Sequence, residues 1–256
     1  MMELPVKKII SKRVNPKTMV IFSHPKMGKT SSIAELEGCL ILDLEGGSDF
    51  VDAVKIDVIS EAKEQNLLPI VVLKKLINQI IEANVAKGGY VYEKIAIDTV
   101  SALEDIVLPL ANKMYRDTPM GRNWVGDDVT TLPNGAGYRF TREALASTIN
   151  ELENLCDTLI ILGHVKDKLI EKDGKEMNER GLDLIGKMSA ILCSQVDAVG
   201  YLYRDENKTV INFKPSESLL CGSRSEHLKG KEIVVAESDE TGQLKVDWSQ
   251  IFINKK

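Results

Sequence analysis

Val20-Ile21-Phe22-Ser23-His24-Pro25-Lys26-Met27-Gly28-Lys29-Thr30-Ser31-Ser32 joins an apolar run to a turn-forming octet, Ser23 to Thr30, and then to a predicted helix from Ser31 to Glu37. The octet fits the phosphate-binding pattern G-x-x-x-x-G-K-[ST] at every required position but the first, where Ser23 stands in place of glycine. A loop of backbone N–H groups at the positive end of a helix offers donors to anionic oxygens. Ser23, His24, Pro25, Lys26, Met27, Gly28, Lys29, Thr30 and Ser31 are therefore the candidate nucleotide-binding residues. Gly28 allows close backbone approach, Lys29 reaches the outer phosphates, and the Thr30 hydroxyl takes a place on Mg²⁺. Ser23 makes the turn out of the strand provided its φ is negative. The competing reading is a chance G-K-T after a strand.

Working outward, the chain supplies the rest of an α/β pattern. Cys39-Leu40-Ile41-Leu42-Asp43-Leu44 and Ile95-Ala96-Ile97-Asp98 are continuous apolar runs ending in or carrying acid, as buried parallel strands do. Thr158 to Leu162 reads as a fourth buried strand. Between them, Glu45-Gly46-Gly47-Ser48-Asp49 breaks the chain as a loop, and Pro69 onward places Val72, Leu73, Leu76, Ile77, Ile80 and Ile81 on one helical face ending near Gly88-Gly89. Helices are also predicted through Leu103, Ile106, Val107 and Leu110, and from Arg142 to Cys156. Residues 116–136 are a long polar stretch around Trp124, the mark of a functional or mobile loop. Lys166 to Leu184 reads as a hairpin about Asp173-Gly174. Ala198 to Tyr203 and Thr209 to Phe213 read as antiparallel strands closing the sheet, and Val6 to Ile10 as an edge strand or arm.

With 256 residues, 43% of them hydrophobic and 28% charged, the chain can build a substantial core. The net charge of -5 provides no global basic field for nucleic acid, although local loops can still bind it. Cys39, Cys156, Cys193 and Cys221 are widely spaced, which favours free thiols in a reducing compartment over a zinc site. The basic N-terminus is too short and interrupted for a signal peptide, and no apolar run approaches the roughly 18 residues of a membrane span. The expectation is a cytoplasmic protein with no membrane partner.

The order of strand, phosphate loop, helix, strand with Asp-x-Glu, helix, strand ending in Asp, helix and polar-ended strand resembles the RecA-like branch of the phosphate-loop ATPases. Within that branch it is similar to the compact phage proteins of the Sak type, which act in recombination and single-strand annealing. The resemblance spans about residues 18–214. It implies an α/β RecA-like three-layer sandwich with a mostly parallel central sheet and antiparallel strands at the C-terminal edge. It further implies one domain over residues 1–256, with an N-terminal arm (1–17) and a C-terminal extension (215–256).

The same resemblance implies ATP and Mg²⁺ as ligands, with Thr30 and Asp98 holding the metal. Leu42-Asp43-Leu44-Glu45 resembles the strand that delivers a catalytic glutamate, so Glu45 becomes the group that orients and deprotonates water. A turn role for Glu45 and a helix-end role for Asp43 remain open. Asp49 matches an adenine-contacting position, or caps a helix. His164, at the end of the fourth strand, matches a γ-phosphate sensor and joins Lys29 and Glu45 as a catalytic candidate; a capped strand-end histidine is the alternative.

Lys214 and Arg224 match the region of cations that reach a neighbour's nucleotide, or are surface charges. Single-stranded DNA is the implied partner, through the 116–136 loop and the hairpin. There Lys166, Lys168, Lys172, Lys175, Arg180 and Lys187 are balanced by an equal number of acids. Self-association into a ring or filament is implied as well. Two further functions stay open: a small-molecule or nucleotide kinase, and a nucleotide-dependent assembly protein with little turnover.

Overall fold

Strands and helices alternate from Thr18 onward in the computed structural model. It describes residues 6, 8, 11, 13–172 and 175–254; for 170–172 and 175–177 it describes the backbone alone. The expected arm at 6–10 and the Asp173-Gly174 turn lie largely outside the described residues. The first half comprises β1 (Thr18–Ser23), α1 (Lys29–Ala34), β2 (Cys39–Asp43), β3 (Lys55–Asp57), α2 (Val58–Glu64), α3 (Pro69–Lys87), β4 (Lys94–Asp98), α4 (Val100–Ile106) and α5 (Leu108–Arg116). Then follow α6 (Gly137–Glu153), β5 (Thr158–Lys172), β6 (Lys175–Leu182), α7 (Met188–Gln195), β7 (Ala198–Asp205), β8 (Lys208–Asn212), β9 (Gly222–Ser223), β10 (Glu232–Ser238) and β11 (Leu244–Val246).

Among the described residues these strands form one mixed sheet in the order β11-β10-β8-β7-β1-β5-β4-β2-β3, with β6 on β5 and β9 on β7. The architecture is α/β, with a parallel centre and antiparallel strands at the C-terminal side, as expected. From β7 through β1, β5, β4 and β2 to β3 every pairing is parallel. β8, β10 and β11 continue antiparallel. β7 therefore corrects the antiparallel expectation for 198–203: it is antiparallel to β8 and β9, but parallel to β1. The reason is α7, an unexpected helix that carries the chain back between β6 and β7, as a parallel neighbour requires.

Alternation along β1 builds two cores. Val20 and Phe22 face a cluster shared with Leu73, Leu103, Val107, Leu145 and Leu192, which lines α3 to α7. Met19 and Ile21 face a smaller cluster with Ile33 of α1, Phe213, Ile233, Trp248 and Ile251. That second layer has few helices, so residues beyond 215 complete it: Trp248 Nε1 donates to the Ser32 carbonyl at 2.8 Å.

Three helix expectations shift. The helix expected at Ser31–Glu37 begins two residues earlier, at Lys29, and ends at Ala34. The helix through Leu103 and Leu110 is two helices, α4 and α5, because Pro109 lacks the N–H that would continue the first. The Arg142–Cys156 helix starts at Gly137 and ends at Glu153. No helix among the described residues is long and apolar enough to cross a membrane.

Candidate functional site

Register aligns the chemistry-bearing residues at the carboxyl ends of the parallel strands. Ser23 lies beside His164, and Asp43 beside Asp98, where open α/β sheets place ligands. The loop leaving β1 passes through Lys26 at φ 64 and Gly28 at φ 92 before α1 begins. At Gly28 the left-handed backbone explains the glycine, since a side chain there is strained. Ser23 has no positive φ, as its turn required. Its hydroxyl accepts from Lys29 Nζ at 3.0 Å and donates to the His24 carbonyl at 2.7 Å. A glycine could do neither. Pro25 and Lys26 are exposed at the tip, Met27 packs against the second core, and Ser31 is half-buried in α1.

Thr30 Oγ1 donates to Asp98 Oδ2 at 2.6 Å, so the two residues expected to hold a metal already meet. Burial raises the Asp98 pKa; the Thr30 hydrogen bond works against this, while Glu45 and Asp43 add repulsion and Lys29 offsets part of it. Burial lowers the Lys29 pKa, against the pull of Asp98 and Glu45. Carboxylates crowded against one buried ammonium, with a hydroxyl alongside, make a hard oxygen set short of positive charge. Mg²⁺ fits that set.

Glu45 is half-exposed at the opening, and its Oε1 accepts from the Thr99 hydroxyl and lies 3.1 Å from His164 Nε2. Thr99 follows Asp98 through a cis peptide. The loop carrying Glu45 is shaped by Asp43, whose Oδ1 accepts from the N–H groups of Glu45 (3.0 Å) and Gly46 (2.8 Å) and whose Oδ2 accepts from Ser48 N–H (2.9 Å). Burial would push the Asp43 pKa up, but the bonds from Ser48, Glu45 and Gly46 prevail and hold it below the ordinary range. Sequence reasoning missed this role, though an acid followed by Gly-Gly-Ser was its signal. Lys55 of β3 closes the loop from the other side, donating to the Ser48 and Val51 carbonyls. Asp49 is exposed in a turn, and no helix follows for it to cap.

His164 does not end its strand. β5 runs on to Lys172, and at Val165 it exchanges partners, from β1 to β6. Gly163 permits this crossing, because a β-carbon there would meet Leu182 Cδ1 at 2.2 Å. The hairpin base is tied to the site: Asp183 N–H donates to the His164 carbonyl at 2.8 Å, and Ser101 of α4 donates to the Asp183 carbonyl at 2.9 Å. Lys166 pairs with Asp183 at 2.8 Å and Arg180 with Asp167 at 3.4 Å, while Lys168, with no ion pair among the described residues, shares the Lys166 face by register.

The 116–136 loop is less shapeless than its composition. Asn112 binds Val129 N–H at 2.9 Å and the Asp127 carbonyl, and Tyr115 meets Trp124 edge-on at 5.2 Å. Met120 and Val125 remain exposed. Lys214 is paired with Glu232 at 2.9 Å. Arg224 is tied to Asp197 and to the Ser194 and Gln195 carbonyls, where it fixes β9. The four cysteines are free thiols, Cys39 and Cys156 buried. Burial pushes the Cys39 thiol up to about 12.

The sequence matches the AAA domain family over residues 15–225. No curated protein matches it. Among solved structures, a KaiC-like protein from the hyperthermophilic archaeon Pyrococcus horikoshii is 14% identical with a TM-score of 0.42, over 90% of this chain and 88% of that one. A RadB recombinase is 12% identical with a TM-score of 0.39, over 90% of each chain.

Proposed function

Since the chain belongs to the AAA domain family of phosphate-loop ATPases, we propose that it hydrolyses Mg-ATP and couples turnover to single-stranded DNA, as a ring or filament in phage-type recombination or strand annealing. One observation carries the reading: Lys29, the Thr30–Asp98 pair and the Glu45–Thr99–His164 cluster converge at the carboxyl ends of the central parallel strands.

In this reading Lys29 leaves Ser23 for the outer phosphates, a charge-assisted contact stronger than the one it gives up. Thr30 and Asp98 hold Mg²⁺, which when bound supplies positive charge against the phosphate oxygens. Glu45, held by Thr99 and His164, orients a water and takes its proton. Asp49, in the exposed turn of the same loop, reaches the adenine.

His164 sits between Glu45 and the hairpin base, so a change at Glu45 on nucleotide binding is felt where β5 leaves the sheet. Lys166, Lys168 and the 116–136 loop meet the DNA backbone. Lys168, with no ion pair among the described residues, supports this, although the neutralised Lys166 and Arg180 limit the field.

The test is phosphate release from Mg-ATP with and without single-stranded DNA, by wild type and Glu45→Gln. Release to water that DNA stimulates and Glu45→Gln abolishes is expected. Transfer to an added acceptor instead would make the protein a kinase. No turnover in either protein would leave nucleotide-dependent assembly as the function.

A further inference from the structure

The flank of the phosphate loop facing away from Glu45 carries its own polar pair. β7 lies on the other side of β1 from β5, and its register brings Tyr201 beside Phe22. Three residues on, Arg204 runs alongside the loop that leaves β1. Its cross-strand partner on β8 is Thr209. A β-carbon placed on Gly28 would stand 4.0 Å from both Arg204 Nη2 and Thr209 Oγ1. Arg204 is exposed and has no ion pair among the described residues. Thr209 is 1% exposed, and its hydroxyl finds no hydrogen-bond partner among the described residues.

We propose that Arg204 and Thr209 form a second wall of the nucleotide site, with the Arg204 guanidinium binding phosphate oxygens of the nucleotide and the Thr209 hydroxyl hydrogen-bonding beside it. The inference rests on the phosphate-loop reading above and extends it to residues outside the motif. A buried hydroxyl without a partner is unfavourable, and native proteins keep few of them. An arriving oxygen acceptor relieves that penalty. A guanidinium held over a phosphate loop with no carboxylate to neutralise it matches the planar, forked recognition of phosphate. The phosphates are then held from both flanks by one chain, with Thr30 and Asp98 on the β4 side and Arg204 on the β7 side. Lys214 and Arg224, both paired within the chain, are not needed for that binding.

Titration calorimetry on the full chain tests this, with Mg-ADP, Mg-pyrophosphate and adenosine as probes. Arg204→Gln is expected to weaken Mg-ADP and Mg-pyrophosphate by roughly 10- to 100-fold, the worth of a hydrogen bond to a charged group, and to leave adenosine unchanged. Thr209→Val replaces the hydroxyl with a methyl group of similar size and suits a strand. It should weaken Mg-ADP by roughly 3- to 10-fold while the ligand-free protein melts no lower than wild type. Arg204→Gln binding Mg-ADP within about twofold of wild type overturns the wall, as does a loss confined to adenosine-containing ligands. With Lys29→Ala run alongside, loss in that variant without loss in Arg204→Gln overturns the wall and leaves the phosphate loop standing. Folded wild type that binds no Mg-ADP overturns both.

Discussion

His164 Nε2 lies 3.1 Å from Glu45 Oε1, across 119 residues of sequence. The carboxylate proposed to orient the water and the last residue that β5 pairs with β1 are thus in direct contact. Each has a second tie, Glu45 to the Thr99 hydroxyl and His164 through its carbonyl to Asp183 N–H. A nucleotide that moves Glu45 alters a contact at the foot of the hairpin.

Glu45→Gln keeps the shape and both neighbours but loses the base. ATP affinity should stay within a few-fold of wild type while the hydrolysis rate falls by roughly 100-fold or more. Thr99→Val should show a smaller loss of about 3- to 10-fold, because it frees the carboxylate without removing it. Single-turnover rates with excess enzyme separate the two. Equal rates in Glu45→Gln and wild type would leave Glu45 a loop residue.

His164→Ala should bind ATP nearly normally while DNA affinity ceases to respond to ATP against ADP. A hydrogen bond to a charged group, about 1.5–3 kcal/mol, corresponds to a 10- to 100-fold response if fully coupled. Anisotropy with labelled single-stranded DNA, at one stated salt concentration, reads it directly. A variant that retains the whole response would make His164 a structural histidine.

Asp98 gives a prediction about pH. Its folded pKa is raised above the ordinary 3.8, chiefly by burial, so the carboxylate form disfavours the folded, ligand-free protein. The stability linked to this group is complete below the ordinary value and is lost as pH rises through the raised one. At pH 7 without ligand, Asp98→Asn should melt above wild type, and the gap should close on acidification. Mg-ADP should raise the melting temperature of wild type and not of the variant. An asparagine variant melting below wild type at pH 7 would show that the Thr30 bond outweighs the burial.

Asp43 runs the opposite way. Its pKa is held low by the hydrogen bonds that shape the Glu45 loop, so its contribution is present above the ordinary 3.8 and fades as pH falls through the lowered folded value. Asp43→Asn should cost about 1–3 kcal/mol at neutral pH and remove that acid-range dependence. Urea titrations at pH 7 and near pH 3 distinguish this from a general packing loss, which would be the same at both.

The parallel core was legible because strands buried on both faces read as unbroken apolar runs, and Cys39–Asp43, Lys94–Asp98 and the start of β5 do so. Gly163-His164 ended such a run and so resembled a strand end. The glycine marks a crossing, and its reason, Leu182, lies 19 residues further along the chain. Strand direction at β7 depended on the short helix α7, whose sequence shows no amphipathic stripe because polar Ser189 lies on its buried face while apolar Ala190 and Ile191 lie off it. Lys55-Ile56-Asp57 was too brief to show a period. Thr30–Asp98 was legible because the motif pairs those residue types. The contacts of Thr99 and Arg204 were not, because they come from tertiary placement, whereas those of Asp43 are local, to the N–H groups of Glu45, Gly46 and Ser48.

The Trp248 bond to Ser32 bears on how the chain is made. α1 is six residues long, too short to persist alone, and a partner 216 positions downstream holds its carbonyl side. During synthesis the phosphate loop therefore leaves the ribosome early and waits unsupported until Trp248 and Ile251 have emerged and packed behind it. Nascent chains stalled before residue 248 should remain protease-sensitive at residues 23–34 in the presence of Mg-ATP. Chains stalled with residues 248–251 clear of the ribosome should become protected, so the order of the phosphate loop waits on a segment made some two hundred residues after it, as a mark that the sheet has closed.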